Sequence, residues 1–164
     1  MSGTSVDRVR AALLAAGHAD TIRTFPEGTR SAAEAASAVG CAVAQIAKSI
    51  VFRGVSEPSD PGRDRAVLVV TSGANRVNAA KAAHASGLEL RRADAAWVRD
   101  ATGFAIGGVA PLGHRLPPVV LVDRDLAAFD RIWAAAGSPI HVFATTPDDL
   151  LRISGGAWAV VREG

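Results

Sequence analysis

Two short segments carry residues whose types and spacing could do chemistry. The first is Thr102-Gly103-Phe104-Ala105-Ile106-Gly107-Gly108-Val109-Ala110-Pro111-Leu112-Gly113-His114. Its four glycines free the backbone and let a ligand approach closely, and Pro111 removes one donor and stiffens the chain. Such a loop can aim successive N–H groups at a carbonyl or an anion. It can equally be a tight connection between sheet and helix. The second is Ala44-Gln45-Ile46-Ala47-Lys48-Ser49-Ile50-Val51-Phe52. On a strand, Lys48 shares a face with Ile46 and Ile50. A lysine there stands either at a solvated rim or in a pocket facing an anion. Lys48 and Lys81 are the only lysines among 18 Lys and Arg. A compact ammonium is not equivalent to a guanidinium fork, so each lysine is informative.

Other catalytic templates fail. There is no G-x-x-x-x-G-K-[ST] and no G-x-G-x-x-G after a strand. No G-x-S-x-G elbow is present. His18, His84, His114 and His141 lack H-x-H or H-E-x-x-H spacing, so no metal is expected. The one cysteine, Cys41, excludes an intrachain disulfide and a Cys-cluster zinc site. Among small neighbours, Cys41 reads as a packing residue, with a nucleophile as the rival.

The elements that must position these segments follow from pattern. A first helix is expected from Val6 to Ala16, capped by Ser5 and ended by Gly17. Thr21 to Phe25 alternates like a strand. Ser31-Ala32-Ala33-Glu34 is a capping box that opens a second helix, ended by Gly40. A helical turn from Cys41 to Gln45 precedes a strand from Ile46 to Arg53. Residues 54–62 read as a hairpin-type excursion, followed by a central strand over Val67–Thr71. Asn75 or Asn78 opens a helix ending at Gly87, Leu88 to Arg92 is a strand, and Asp94 caps a short helix ending near Gly103. Pro118 to Asp123 is a further strand. Asp125 to Ala136 fits either a helix or a turn followed by a strand. Ile140 to Ala144 is a strand, Thr146-Pro147-Asp148-Asp149 opens a helix, and Ala157 to Val161 is a strand or a turn. Without regular βαβ alternation, this order predicts an α/β fold with a mixed sheet.

Length and composition bound the rest. The 164 residues suggest one domain, and 49% hydrophobic with 21% charged residues is ordinary for a globular protein. No apolar run approaches the roughly 18 residues of a membrane span. Met1-Ser2-Gly3-Thr4-Ser5 lacks a signal pattern, and a reducing cytoplasm is the simplest compartment. A net charge of +2, with no basic run beyond Arg91-Arg92, disfavours a long groove that tracks nucleic-acid backbone. A small footprint on one end of a nucleic acid stays open.

Taken together, Ile46-Ala47-Lys48-Ser49-Ile50-Val51-Phe52 and Thr102-Gly103-Phe104…Gly107-Gly108-Val109-Ala110-Pro111-Leu112-Gly113-His114 resemble the YbaK family, the prolyl-tRNA synthetase associated or editing domain. The first matches the family's lysine strand and the second its G-x-x-x-P loop, in order and spacing. The resemblance implies one domain over 1–164, with a mixed, largely antiparallel sheet surrounded by helices and no cofactor. It implies a strand over Arg131–Ala136 paired through Gly137-Ser138-Pro139 with Ile140–Ala144. It implies hydrolysis of the ester on a wrongly charged aminoacyl-tRNA, in trans. Lys48 and the loop Gly107, Gly108, Val109, Ala110 and Pro111 would be the catalytic elements, with loop N–H groups holding the carbonyl. Phe25, Thr102, His114 and Asp123 would touch substrate: Phe25 as a pocket wall and Asp123 at the substrate amine. The partner implied is the acceptor end of an aminoacyl-tRNA, with a synthetase or elongation factor for delivery and no membrane. A non-catalytic aminoacyl- or nucleotide-binding module of the same fold is the rival reading, and an esterase built on Cys41 a third.

Overall fold

The computed structural model describes residues 4–164; Met1–Gly3, where the signal pattern was sought, lie outside the described residues. Among the described residues, five α-helices pack on an eight-stranded sheet. The helices are α1 (Ser5–Ala15), α2 (Ala32–Val39), α3 (Ala79–Ser86), α4 (Ala95–Thr102) and α5 (Pro147–Ser154). The strands are β1 (Ile22–Thr24), β2 (Ile46–Val55), β3 (Arg65–Ser72), β4 (Glu89–Arg92), β5 (Val119–Asp123), β6 (Ile132–Ser138), β7 (His141–Thr145) and β8 (Ala157–Ala159).

Local chemistry starts each helix. Ser31 accepts from the Glu34 amide while Glu34 returns to the Ser31 amide, as its capping box requires. Asn78, Asp94 and Thr146 cap α3, α4 and α5 with their side chains. Two expectations shift. The α1 cap is Thr4, which bonds reciprocally with Asp7, so Ser5 is the first helical residue. Asn75 caps nothing, because its amide donates to Asp123 and Asp125. The ambiguous stretch resolves into a 3-10 turn over Arg124–Ala128 and then β6, which hairpins onto β7 with a register shift between Ala135 and Ser138.

The sheet runs β1-β7-β6-β2-β3-β5-β8, with β4 also on β2. Neighbours are antiparallel except β2–β6, β3–β5 and β5–β8. The long strand β2 shares one edge between two partners. Ile46 and Ala47 pair with Trp133 and Ala134 of β6, and Phe52 to Val55 pair with β4. Residues 48–51 between them have a strand partner only in β3. One sheet face buries Leu68, Val70, Val120 and Val122 under Val9 and Leu13 of α1 and Val98 of α4. The other is covered in two patches, Ala82 of α3 over Val67, Val69 and Leu121, and Ala35 and Ala36 of α2 over Ile46, Trp133 and Val142. Among the described residues, no helix is long and apolar enough to cross a membrane.

Candidate active site

Where β6 and β4 leave β2's edge open, the glycine loop comes in. A cleft of about 370 Å³ lies there, lined by β2 from Ile46 to Ile50, by β6 from Trp133 to Ala135, by Thr29–Ala32 and by Ile106, Gly107 and Val109. That is the small end of ligand cavities, which run roughly 300–1,000 Å³. The alternation of β2 puts Lys48 on the face of Ile46 and Ile50. It is half-buried, and its ammonium meets no carboxylate within salt-bridge distance among the described residues. Lys48 lines the cleft.

The loop's shape is held from three sides. Gly107 has φ +92°, a conformation that L side chains rarely adopt. Gly108 packs so tightly on the β6–β7 turn that a Cβ would lie 2.8 Å from Ser138 Cα. The Gly108 N–H donates to Ala105 O at 3.0 Å, closing a turn. That donor is therefore spent, and the expectation of an unbroken row of amides from Gly107 to Ala110 is corrected by one. The amides of Gly107, Val109 and Ala110 take no backbone partner among the described residues. Ala110 and Pro111 are buried behind the cleft and do not line it.

The other expected substrate contacts sit elsewhere. Thr102 is fully buried; its hydroxyl donates to Val98 O and accepts from the Phe104 amide, fixing the turn out of α4. Asp123 is 2% exposed. Its Oδ2 accepts from Thr71 Oγ1, the Ser72 amide and Asn75 Nδ2, and its Oδ1 from the Asp125 amide. With those lone pairs occupied it ties the ends of β3 and β5 together and does not line the cleft. Phe25 packs on the cluster of Ala35, Ile46, Trp133 and Val142, behind residues that do line it.

His114 is the buttress of the loop. Its Nε2–H donates to Ala110 O at 2.5 Å, and its ring meets Phe104 edge-on at 5.2 Å. Nδ1 is buried with no partner. Burial first, and then the Arg8 guanidinium, push the imidazole below its ordinary value near 6.5, against the opposing hydrogen bond to Ala110. The unfolded chain thus takes up this proton more readily than the folded one. The stability contribution is intact above pH 6.5 and is lost as pH falls from 6.5 towards the folded value. Thermal unfolding between about pH 8 and pH 5 is expected to show His114→Gln losing less stability on acidification than the parent chain. Parallel curves would remove His114 from this role.

Cys41 follows α2 and packs beside Ala35 and Trp133. Its Sγ donates to Ala42 O at 3.4 Å, and burial raises the thiol, so the nucleophilic thiolate is scarce at neutral pH. Cys41→Ser is expected to change any ester hydrolysis less than about twofold, measured as turnover per folded molecule. Complete loss would restore the thiol mechanism.

Among the cleft residues that sequence reasoning missed, three stand out, besides the Thr29–Ala32 wall. Trp133, with Arg23 over its ring at 5.3 Å, forms floor from a stretch whose pattern was ambiguous. Ser49 carries a buried hydroxyl with no partner, and its position beside Lys48 was the available signal. Ile106 stands 58% exposed at the lip, a large apolar residue next to the glycine pair. No carboxylate, imidazole or thiol lines the cleft. Among the described residues, no group of three His, Cys, Asp or Glu is placed to hold a metal.

Comparison with known proteins finds relatives along nearly the whole chain. An uncharacterized protein of Bacillus subtilis, YwhH, is 29% identical over 133 residues, covering 81% of this chain and 80% of YwhH. A crystal structure of a candidate trans-editing enzyme for prolyl tRNA synthetase is 41% identical over the full length of both chains, with a TM-score of 0.88. The hypothetical protein APE2540 is 26% identical, over 95% of this chain and 99% of its own, with a TM-score of 0.82. The model of the aminoacyl-tRNA editing domain matches residues 26–153, which include both the lysine strand and the glycine loop. A fold shared along the whole chain and a family match across both segments lead to one conclusion: this chain belongs to the aminoacyl-tRNA editing domain family.

Proposed function

We propose that the chain, read as one editing domain over 1–164, hydrolyses the ester of mischarged aminoacyl-tRNA in trans. The observation that carries this reading is the meeting of Lys48 with a loop of unspent backbone amides in one small cleft. An aminoacyl ester is already activated, so no strong nucleophile is needed. The acyl carbonyl sits against the amides of Gly107 and Val109, which stabilise the oxyanion as it forms. Water attacks the acyl carbon, assisted by the free hydroxyl of the terminal ribose. The bond to the 3′ oxygen breaks, that oxygen takes the proton, and amino acid and uncharged tRNA leave. Lys48 holds the terminal nucleotide through a charge-assisted contact. Ile106 offers an apolar surface to the adenine. Thr102, His114 and Asp123 act by holding the loop and strand ends. A cytoplasmic site and delivery by a synthetase or elongation factor follow from the same reading.

The absence of a carboxylate, imidazole or thiol from the lining favours one rival, a module that binds the same ligand without cleaving it. A panel of tRNAs mischarged with small amino acids separates the two. Deacylation well above the spontaneous rate supports the enzyme. Saturable binding at the spontaneous rate supports the module.

A further inference from the structure

A second hollow, of about 630 Å³, opens beside the cleft, with Arg10, Arg30, Ser138, Pro139, Ile140 and His141 in its lining. Arg30 lines both hollows. The wall between them is rigid. The Thr29 amide and hydroxyl both donate to Pro139 O, at 2.7 and 2.9 Å, and the Phe25 amide donates to Ile140 O at 2.7 Å. Gly108 closes on Ser138 from the loop side. The backbone on which Arg30 stands is thus fixed, while its exposed guanidinium has no acceptor among the described residues.

The second hollow joins an apolar floor to a guanidinium at its boundary. Its floor offers the half-buried Pro139 and Ile140 as an apolar platform. Its one carboxylate, Asp7, is engaged by Arg10 and by the Thr4 amide, and Arg10 is further held by Asp20 at 2.7 Å. The unspent charge is the guanidinium at the boundary. A cation shared by two adjoining hollows suits a ligand of two units joined through an anion, and a phosphodiester is such a joint. We infer that the second hollow receives the penultimate nucleotide of the tRNA acceptor end, its base on Pro139 and Ile140, with Arg30 on the phosphodiester to the terminal adenosine. The inference rests on the reading of the first cleft as the seat of the terminal aminoacyl-adenosine.

The test compares two substrates and one non-hydrolysable probe. Arg30→Ala is expected to lower kcat/KM on aminoacyl-tRNA by about tenfold or more beyond any loss it causes on the bare aminoacyl-adenosine ester, the scale of a charged hydrogen bond. The dependence of log KM for aminoacyl-tRNA on log salt should shallow by about 0.7, the release from one single-strand phosphate. Affinity for the dinucleotide cytidylyl-adenosine should fall in Arg30→Ala and Ile140→Ser, while affinity for adenosine does not, with unfolding temperatures like the parent's. Equal losses on both esters would assign Arg30 to the first cleft and overturn the inference, as would no loss on either. If the parent chain binds the dinucleotide in an Arg30-dependent way yet cleaves neither ester, the second hollow stands and the proposed hydrolysis falls. If it binds no dinucleotide and yet cleaves both esters, the hydrolysis stands and the second hollow falls.

Discussion

Lys48→Ala is expected to reduce deacylation by roughly 10- to 100-fold, the loss of a charge-assisted contact of about 1.5–3 kcal/mol. The fold should not notice. Lys48 has no carboxylate partner among the described residues, and the β2–β3 ladder on both sides of it is backbone. The unfolding temperature is therefore the control, and unchanged turnover with an unchanged transition would remove Lys48 from the machinery. Lys48→Arg should also be impaired. The planar fork is bulkier and carries its charge differently, and the space is a cleft of about 370 Å³ walled by Ile46, Ile50 and Trp133.

Gly108→Ala carries a comparable or larger penalty through shape alone. The added methyl would meet Ser138 N, Cα and C at 2.8–2.9 Å, and these are backbone atoms of a hairpin that cannot swing aside. The loop must move, and with it the amides proposed to hold the oxyanion. Loss of one such donor costs about 2.7–4 kcal/mol of barrier, or 10²–10³-fold. Gly107→Ala meets no neighbour within 4 Å, so its cost is the positive φ alone, about 1–2 kcal/mol of strain. Val109→Ala leaves the backbone in place and should matter least. Turnover per folded molecule across the three separates a catalytic loop from a mere connection. Full activity per folded Gly108→Ala molecule would make it a connection.

What could be read from sequence was mostly what neighbours in the chain decide. The Ser31–Glu34 box and the caps Asp94 and Thr146 are settled within one helical turn, whereas the choice between Asn75 and Asn78 needed the fold, because Asn75 is drawn off by Asp123 and Asp125. The face of Lys48 follows from strand alternation. Burial and hydrogen-bond saturation were not legible, because both depend on partners far along the chain. Asp123 loses its free lone pairs to Thr71, Ser72 and Asn75, some 50 residues earlier. His114 shows its acceptor, Ala110 O, only once the loop folds back on itself. The spent amide of Gly108 likewise depends on a turn that glycine content alone does not specify.

The divided edge of β2 bears on how the sheet is held together. The β1–β7–β6 leaf joins the rest of the sheet by a ladder of only two residue pairs, Ile46–Trp133 and Ala47–Ala134. Beneath that joint, one apolar cluster runs continuously from Ile132, Ala134 and Phe143 to Leu68 and Val70. Above it, the α2 and α3 patches are separate clusters, with the cleft beside the joint. The leaf is therefore held less by its ladder than by what packs on it: the continuous core beneath, the Thr29 and Phe25 bonds to the β6–β7 turn, and Gly108 against Ser138. Trp133 and Ala134 belong both to that joint and to the cleft wall, so a substitution that strains the joint would deform the cleft as well as the sheet.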